Sequence, residues 1–388
     1  MAITKATGPV LGNYTVGTGN VALGDTALDS VQSGGNYNAA VGRNSLTATT
    51  TGDNNTGMGN ATLATNSTGG NNTAVGGNAL ENATTADNNT AVGYASLNSN
   101  TTGANNVAIG SSALFVNTTG IGNVAVGYLA LDAHTTGNNN VAIGNEALSA
   151  NTTASNNVGV GVVALRLNTT GTDNVAVGAY ALDANTTGDG NTAVGDNALG
   201  AATTASNNTA VGKSALLANT TGFDNVTVGR QSLDANTTGN YNTSIGSLAL
   251  SGNTTADANT SVGYASLNVN STGANNVGVG YAALNSNTTA SYNTAVGKSA
   301  LAANTTAEEN TAMGNDAMLD NTTGANNVAI GSSALANNTT SSSNVAVGRH
   351  ALLANTTGTP HVAVGFEALK ANTTGASNMA VGYRAMYT

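Results

Sequence analysis

One interval governs this sequence. A Gly, preceded in most copies by Val or Ile, returns every 17 residues from Gly42 through Gly59, Gly76 and Gly93 to Gly382, without an insertion or deletion. These 21 copies, and one more at Gly24 set 18 residues earlier, share the consensus N-N-V-A-V-G-x-x-A-L-x-A-N-T-T-G-x. Positions are counted below from that marker Gly. Position −1 is Val or Ile in 19 of 22 copies, and +4 is Leu in 20 of 22, with Met318 and Met386 as the exceptions. Position +3 is always Ala, Ser or Thr, −4 is Asn in 21 of 22 copies with His361 as the exception, and +9 is Thr in all 20 copies from Thr51 to Thr374. Each column therefore meets the same environment in every copy.

A 17-residue unit is too short for the helix pair of the common helical solenoids, which takes ~33 residues or more. Its apolar residues do not follow a 3.6-residue period. Val-Ala-Val and Ala-Leu-x-Ala are short runs, and Asn-Thr-Thr-Gly and Asn-Asn are turn formers. The pattern predicts an all-β parallel solenoid, or β-roll, of about 22 coils, with two short strands and two turns per coil. At the ~4.8 Å spacing of neighbouring strands the stack would run ~105 Å. Residues 20–388 form the rod on this reading, and residues 1–19 an attachment or capping segment.

Roles for the columns follow. The −1 Val or Ile and the +4 Leu are expected to fill the coil interior, with small +3 residues letting sheets approach. The marker Gly is expected to take a turn conformation that a Cβ forbids. The Asn column (Asn106, Asn123, Asn140) and the Thr column at +9 (Thr119, Thr136, Thr153) are expected to form side-chain ladders between coils; a simpler role for the Asn is to suit a left-handed turn backbone. Columns +1, +2, +5, +11 and +12 hold every charged residue except Lys5 and Asp320, so they are expected to face water. A sheet this thin would leave one apolar face uncovered. That predicts a homo-oligomer, most simply a threefold rod. A three-sided left-handed helix of ~18 residues per coil is the competing geometry, but 17 does not divide into six-residue sides.

Composition narrows function. Charged residues make up 7% of the chain and the formal charge is −10, with only 9 Lys and Arg. Phosphate contacts need clustered cations, so nucleic acid is not an expected partner. Without Cys there are no disulfides, thiolate metal sites or Cys nucleophiles. The start, Met1 to Gly8, lacks the apolar stretch of a secretory signal. No apolar run approaches the ~20 residues that span a bilayer, so membrane insertion is not expected.

Catalytic chemistry has little to draw on. Glu308 and Glu309 are adjacent, so strand alternation points them apart; with Asp316 and Asp320 they read as a solvated acidic patch. Gly17-Thr18-Gly19 and Gly159-Val160-Gly161 lack the strand-turn-helix context of a phosphate loop. No cofactor or metal is expected, and the chain reads as a non-enzyme. Asn-x-Thr sequons read as turn elements. The one surface column of interest is +1, which carries Tyr94, Tyr128, Tyr264, Tyr281, Phe366 and Tyr383 beside Arg43, Lys213, Arg230, Lys298 and Arg349. Tyr and Arg favour binding hot spots, so a host-surface glycan or protein contact is conceivable there. The alternative is that these rings cover neighbouring coils.

Units such as Asn89-Thr90-Ala91-Val92-Gly93-Tyr94-Ala95-Ser96-Leu97-Asn98-Ser99-Asn100-Thr101-Thr102-Gly103 resemble the repeats of phage and bacterial tail-fibre proteins, many of which end in an intramolecular chaperone of the endosialidase type. The Asn-x-Val-Ala-Val/Ile-Gly core is also similar to the head repeats of trimeric autotransporter adhesins, left-handed β-rolls of three chains with a somewhat shorter repeat. The resemblance covers residues 20 to 388. It implies a left-handed homotrimeric fibre on a virion, a tail or capsid appendage attached through its N-terminus and acting as rigid spacer or host contact. The alternative is a bacterial surface adhesin or extracellular filament binding glycans through the Tyr/Arg column. No anchor, stalk or chaperone segment is visible. The sequence stops inside a coil at Ala385-Met386-Tyr387-Thr388, so an open edge is expected to dock on a neighbour or stack end to end. Ice binding through Thr columns is disfavoured, since neighbouring Thr residues face opposite sides.

Overall fold

A computed structural model describes residues 17–387. It holds twenty-two short parallel strands in chain order, from β1 (Val21–Leu23) to β22 (Asn378–Val381), and no helix among the described residues. The chain divides into two units at Gly190/Asn191. The first contains β1 to β10 (Val175–Val177), and the second β11 (Thr192–Val194) to β22. Within each unit every strand pairs with the next in register, one 17-residue step apart beyond the first pair: Val107 faces Val124, and Val277 faces Thr294. The chain is thus an all-β solenoid of tandem coils. Of the N-terminal segment anticipated over residues 1–19, residues 1–16 lie outside the described residues. Thr18 already belongs to the stack, its N–H donating to Asn36 Oδ1 at 2.8 Å.

Two expectations need correction. Each coil has one strand, not two. The Ala-Leu-x-Ala run is a turn, in which positions +2 and +4 both take left-handed backbone, as at Ser112 (φ 56°) and Leu114 (φ 52°). Backbone hydrogen bonds still pass from coil to coil through this turn, Leu114 N–H donating to the Ala130 carbonyl at 2.9 Å. Nor does the −1 Val or Ile fill the interior. Side chains alternate along a strand, and the residue turned inward is the small one at −2, Ala in 16 of 22 copies and buried in every strand. Val and Ile at −1, and Val or Thr at −3, face outward, partly or fully exposed.

The physical reason is space. The coil interior accepts one large side chain per rung, and the +4 Leu takes it: Leu97, Leu114, Leu131 and their equivalents have no exposed surface. The surrounding wall is made of small residues, such as Ala108 and Ala113. The left-handed Leu backbone opposes folding by roughly 1 kcal/mol. Full burial of the side chain stabilises by ~1.5–3 kcal/mol, so burial wins and Leu stays where Gly or Asn would be conformationally easier.

Candidate functional site

Most of the constant columns are explained by hydrogen-bonded ladders. At −4, Asn123 N–H donates to Asn106 Oδ1 (2.8 Å) and Asn140 N–H to Asn123 Oδ1 (2.9 Å). Each amide also donates to a carbonyl 14 residues on, Asn106 Nδ2 to Gly120 O (2.8 Å) and Asn123 Nδ2 to Gly137 O (3.0 Å). These side chains are fully buried, and an Asn satisfies buried backbone donors and acceptors that a three-residue strand cannot reach.

The Thr ladder lies one residue before the expected column. Thr118 Oγ1 donates to Thr135 O (3.0 Å) and Thr135 Oγ1 to Thr152 O (2.9 Å). Thr119, Thr136 and Thr153 are exposed. Two further ladders were not read from the sequence. At +7, Asn117 Nδ2 donates to Asn100 Oδ1 and Asn185 Nδ2 to Asn168 Oδ1, both at 2.8 Å. Column +7 also supplies the Asn of the Asn-Thr-Thr sequons, so in the folded chain those side chains are buried within the ladder. At +11, an Asp, Asn or Ser accepts the +11 N–H of the coil before: Asp189 from Thr172 (2.6 Å), Asn138 from Ile121 (2.8 Å), Ser291 from Ala274 (3.0 Å). The signal for +11 was its bias towards short acceptors, masked by its variability.

The surface columns are less uniform than expected. Asp132, Asp183 and Asp234 at +5 are half-buried, and burial pushes each carboxyl above the ordinary aspartate range. Glu308 and Glu309 are both exposed. At +2, Glu367 is buried. Lys370 Nζ reaches its Oε1 at 2.6 Å, Arg384 Nε its Oε2 at 2.8 Å, and His350 Nδ1 stands 3.6 Å away. The hydrogen bond from Lys370, followed by that from Arg384, holds the Glu367 carboxyl down to about 2. Among the described residues, no group of three His, Asp or Glu is placed to hold a metal ion.

In the +1 column, Tyr94, Tyr128, Tyr264, Tyr281 and Tyr383 are exposed and Phe366 is half-buried. The rings pair where two fall on adjacent coils. Tyr264 stacks on Tyr281 with centroids 5.5 Å apart, and Phe366 on Tyr383 at 5.4 Å. Stacked rings cover one face of each other and leave their edges and outer faces to solvent. The cations are partly matched: Lys213 bonds Asp196 at 3.0 Å, and Arg230 Nη1 donates to Gln231 Oε1 at 2.7 Å. No protein-family model matches this chain, and no curated protein matches it.

Proposed function

We propose that this chain is a structural fibre protein, built to assemble side by side with copies of itself, and that it serves as a virion appendage of the tail- or capsid-fibre kind. The supporting observation is the outward sheet face. Every coil turns an apolar −1 residue outward, beside Val or Thr at −3 in most copies, so a second copy with the same rise meets a similar contact at each step. Ile109, Ile245 and Ile330, each 40% exposed, mark the rows. Contiguous apolar strips, such as the −1 row within each unit, are features of interfaces. Three chains with these faces turned inward form the simplest closed arrangement, and the resemblance to adhesin heads implies left-handed coils.

Sedimentation tests the reading. The full chain is expected at three times 37.7 kDa. The triple variant Ile109→Lys, Ile245→Lys, Ile330→Lys is expected to shift it towards single chains, since each Lys would bury a charge in the interface. A wild-type protein that stays at 37.7 kDa at every concentration overturns the reading.

A second reading, a surface adhesin or extracellular filament, rests on the exposed Tyr264–Tyr281 pair and its neighbour one coil on in the same column, Lys298. It expects glycan-array binding that drops at least about tenfold, ~1.4 kcal/mol, in Tyr264→Ala plus Tyr281→Ala. Binding unaffected by that double variant removes the pair from the account.

A further inference from the structure

Histidine replaces Asn once in each buried amide ladder, and the two replacements differ. His134 stands in the +7 ladder. Its Nε2 lies 2.8 Å from Gly137 O, as an Asn Nδ2 would, but its Nδ1 and the neighbouring Asn117 Oδ1 have no partner among the described residues. His361 stands in the −4 ladder, on β21 (His361–Val364), and copies Asn at both ends of its ring. Asn378 N–H, on β22, donates to His361 Nδ1 at 3.3 Å, the bond that Oδ1 accepts elsewhere. Nε2 bonds the Gly375 carbonyl, 14 residues on, where Asn places its Nδ2. Asn372 Nδ2 is also 3.1 Å from Nε2.

This imitation works for one protonation state only. Nδ1 must be bare to accept the Asn378 N–H, so the single proton of the neutral ring sits on Nε2. A second proton would go on Nδ1 and meet the Asn378 N–H head-on, two donors without an acceptor. We propose that His361 is an acid-labile joint between adjacent coils: its neutral ring locks β22 to β21, and protonation releases that rung while Asn-only rungs stay closed.

Access and electrostatics agree. His361 is buried, but it is one of the residues lining a surface pocket of about 240 Å³ with Ser343, Pro360, Asn378 and Met379, so little protein separates it from solvent. Of the titratable and charged groups on this coil and its neighbours, His350, Lys370 and Arg384 are gathered around the Glu367 carboxylate, and Arg349 is exposed in the +1 column. Burial sets the direction at His361, holding it below the ordinary histidine value. The sign follows. Above the unfolded value of ~6.5 the ring is neutral in both states and costs nothing. As pH falls below it, the released state binds the proton first, and the lock weakens until the folded value is passed.

Hydrogen exchange on the full chain tests this, with rates corrected for intrinsic pH dependence. Between about pH 7.5 and about pH 5, protection of the Met379–Val381 amides is expected to drop, by up to about tenfold per unit of separation between the two pKa values, while residues 209–330, which contain no His, hold theirs. His361→Asn restores the consensus residue and is expected to abolish the drop. Ring nitrogen shifts at neutral pH are expected to show the Nε2-protonated tautomer. A drop that persists in His361→Asn, no drop in the wild type, or an Nδ1-protonated ring would each overturn the proposal.

Discussion

Gly280→Ala is expected to destabilise the second unit by about 3 kcal/mol, whereas Gly159→Ala is expected to change the first by less than about 1 kcal/mol. The substitution is chemically the same. At Gly280 the backbone has φ +137°, and an added Cβ would stand 2.4 Å from the Gly297 carbonyl oxygen and 2.6 Å from its carbon. Those are backbone atoms of the next coil, fixed by the ladder, so neither side can yield without losing pairing. Gly159 is the inward strand position. Its Cβ would meet Ala164 O at 3.2 Å and Leu148 Cδ1 at 3.3 Å, and most other coils carry Ala there. Guanidinium unfolding of the two variants measures the difference. Equal midpoint shifts would show that the marker Gly is not held by its backbone conformation.

The same contrast shows which features were legible beforehand. The 17-residue spacing predicts stacked coils because only an in-register stack gives every column a constant environment. The marker Gly was legible because no other residue tolerates that φ. The −1 Val was misplaced because hydrophobicity suggests burial, while the strand's alternation sends −1 and −3 to the same side and leaves −2 inside. The −2 residue is small, so nothing in its size marked it as the one facing the interior. The Leu turn was hidden because Leu carries no turn signal; it occupies left-handed backbone only because its side chain is the one large filling of the rung. The ladder Thr was displaced by one because Thr118 and Thr119 are identical letters on opposite sides of the chain. His361 stood out as the exception in the −4 column, whereas His134 had no column to depart from because the +7 ladder had not been recognised.

With one large apolar side chain buried per rung, the ladders carry much of what distinguishes a closed rung from an open one, and a change of a single atom there has a large expected effect. Asn276→Asp is expected to cost about 3–5 kcal/mol at neutral pH. Asn276 is fully buried; its Oδ1 accepts the Asn293 N–H at 3.0 Å, and its Nδ2 donates to Ala290 O at 2.8 Å and Asn259 Oδ1 at 3.2 Å. The aspartate has the same shape and keeps the acceptor. It loses the donor and sets a carboxylate oxygen against two other oxygens in a fully buried site. Protonation supplies a donor again, so the folded-state pKa of the new carboxyl is expected above the unfolded ~3.9. The deficit is then largest at neutral pH and shrinks as pH falls through that raised value, because the folded state binds the proton first. Denaturant unfolding at neutral and mildly acidic pH, read against the wild type at each pH to remove the contribution of His361, measures it. A penalty independent of pH would mean that the rung is held by shape and not by the amide's donor.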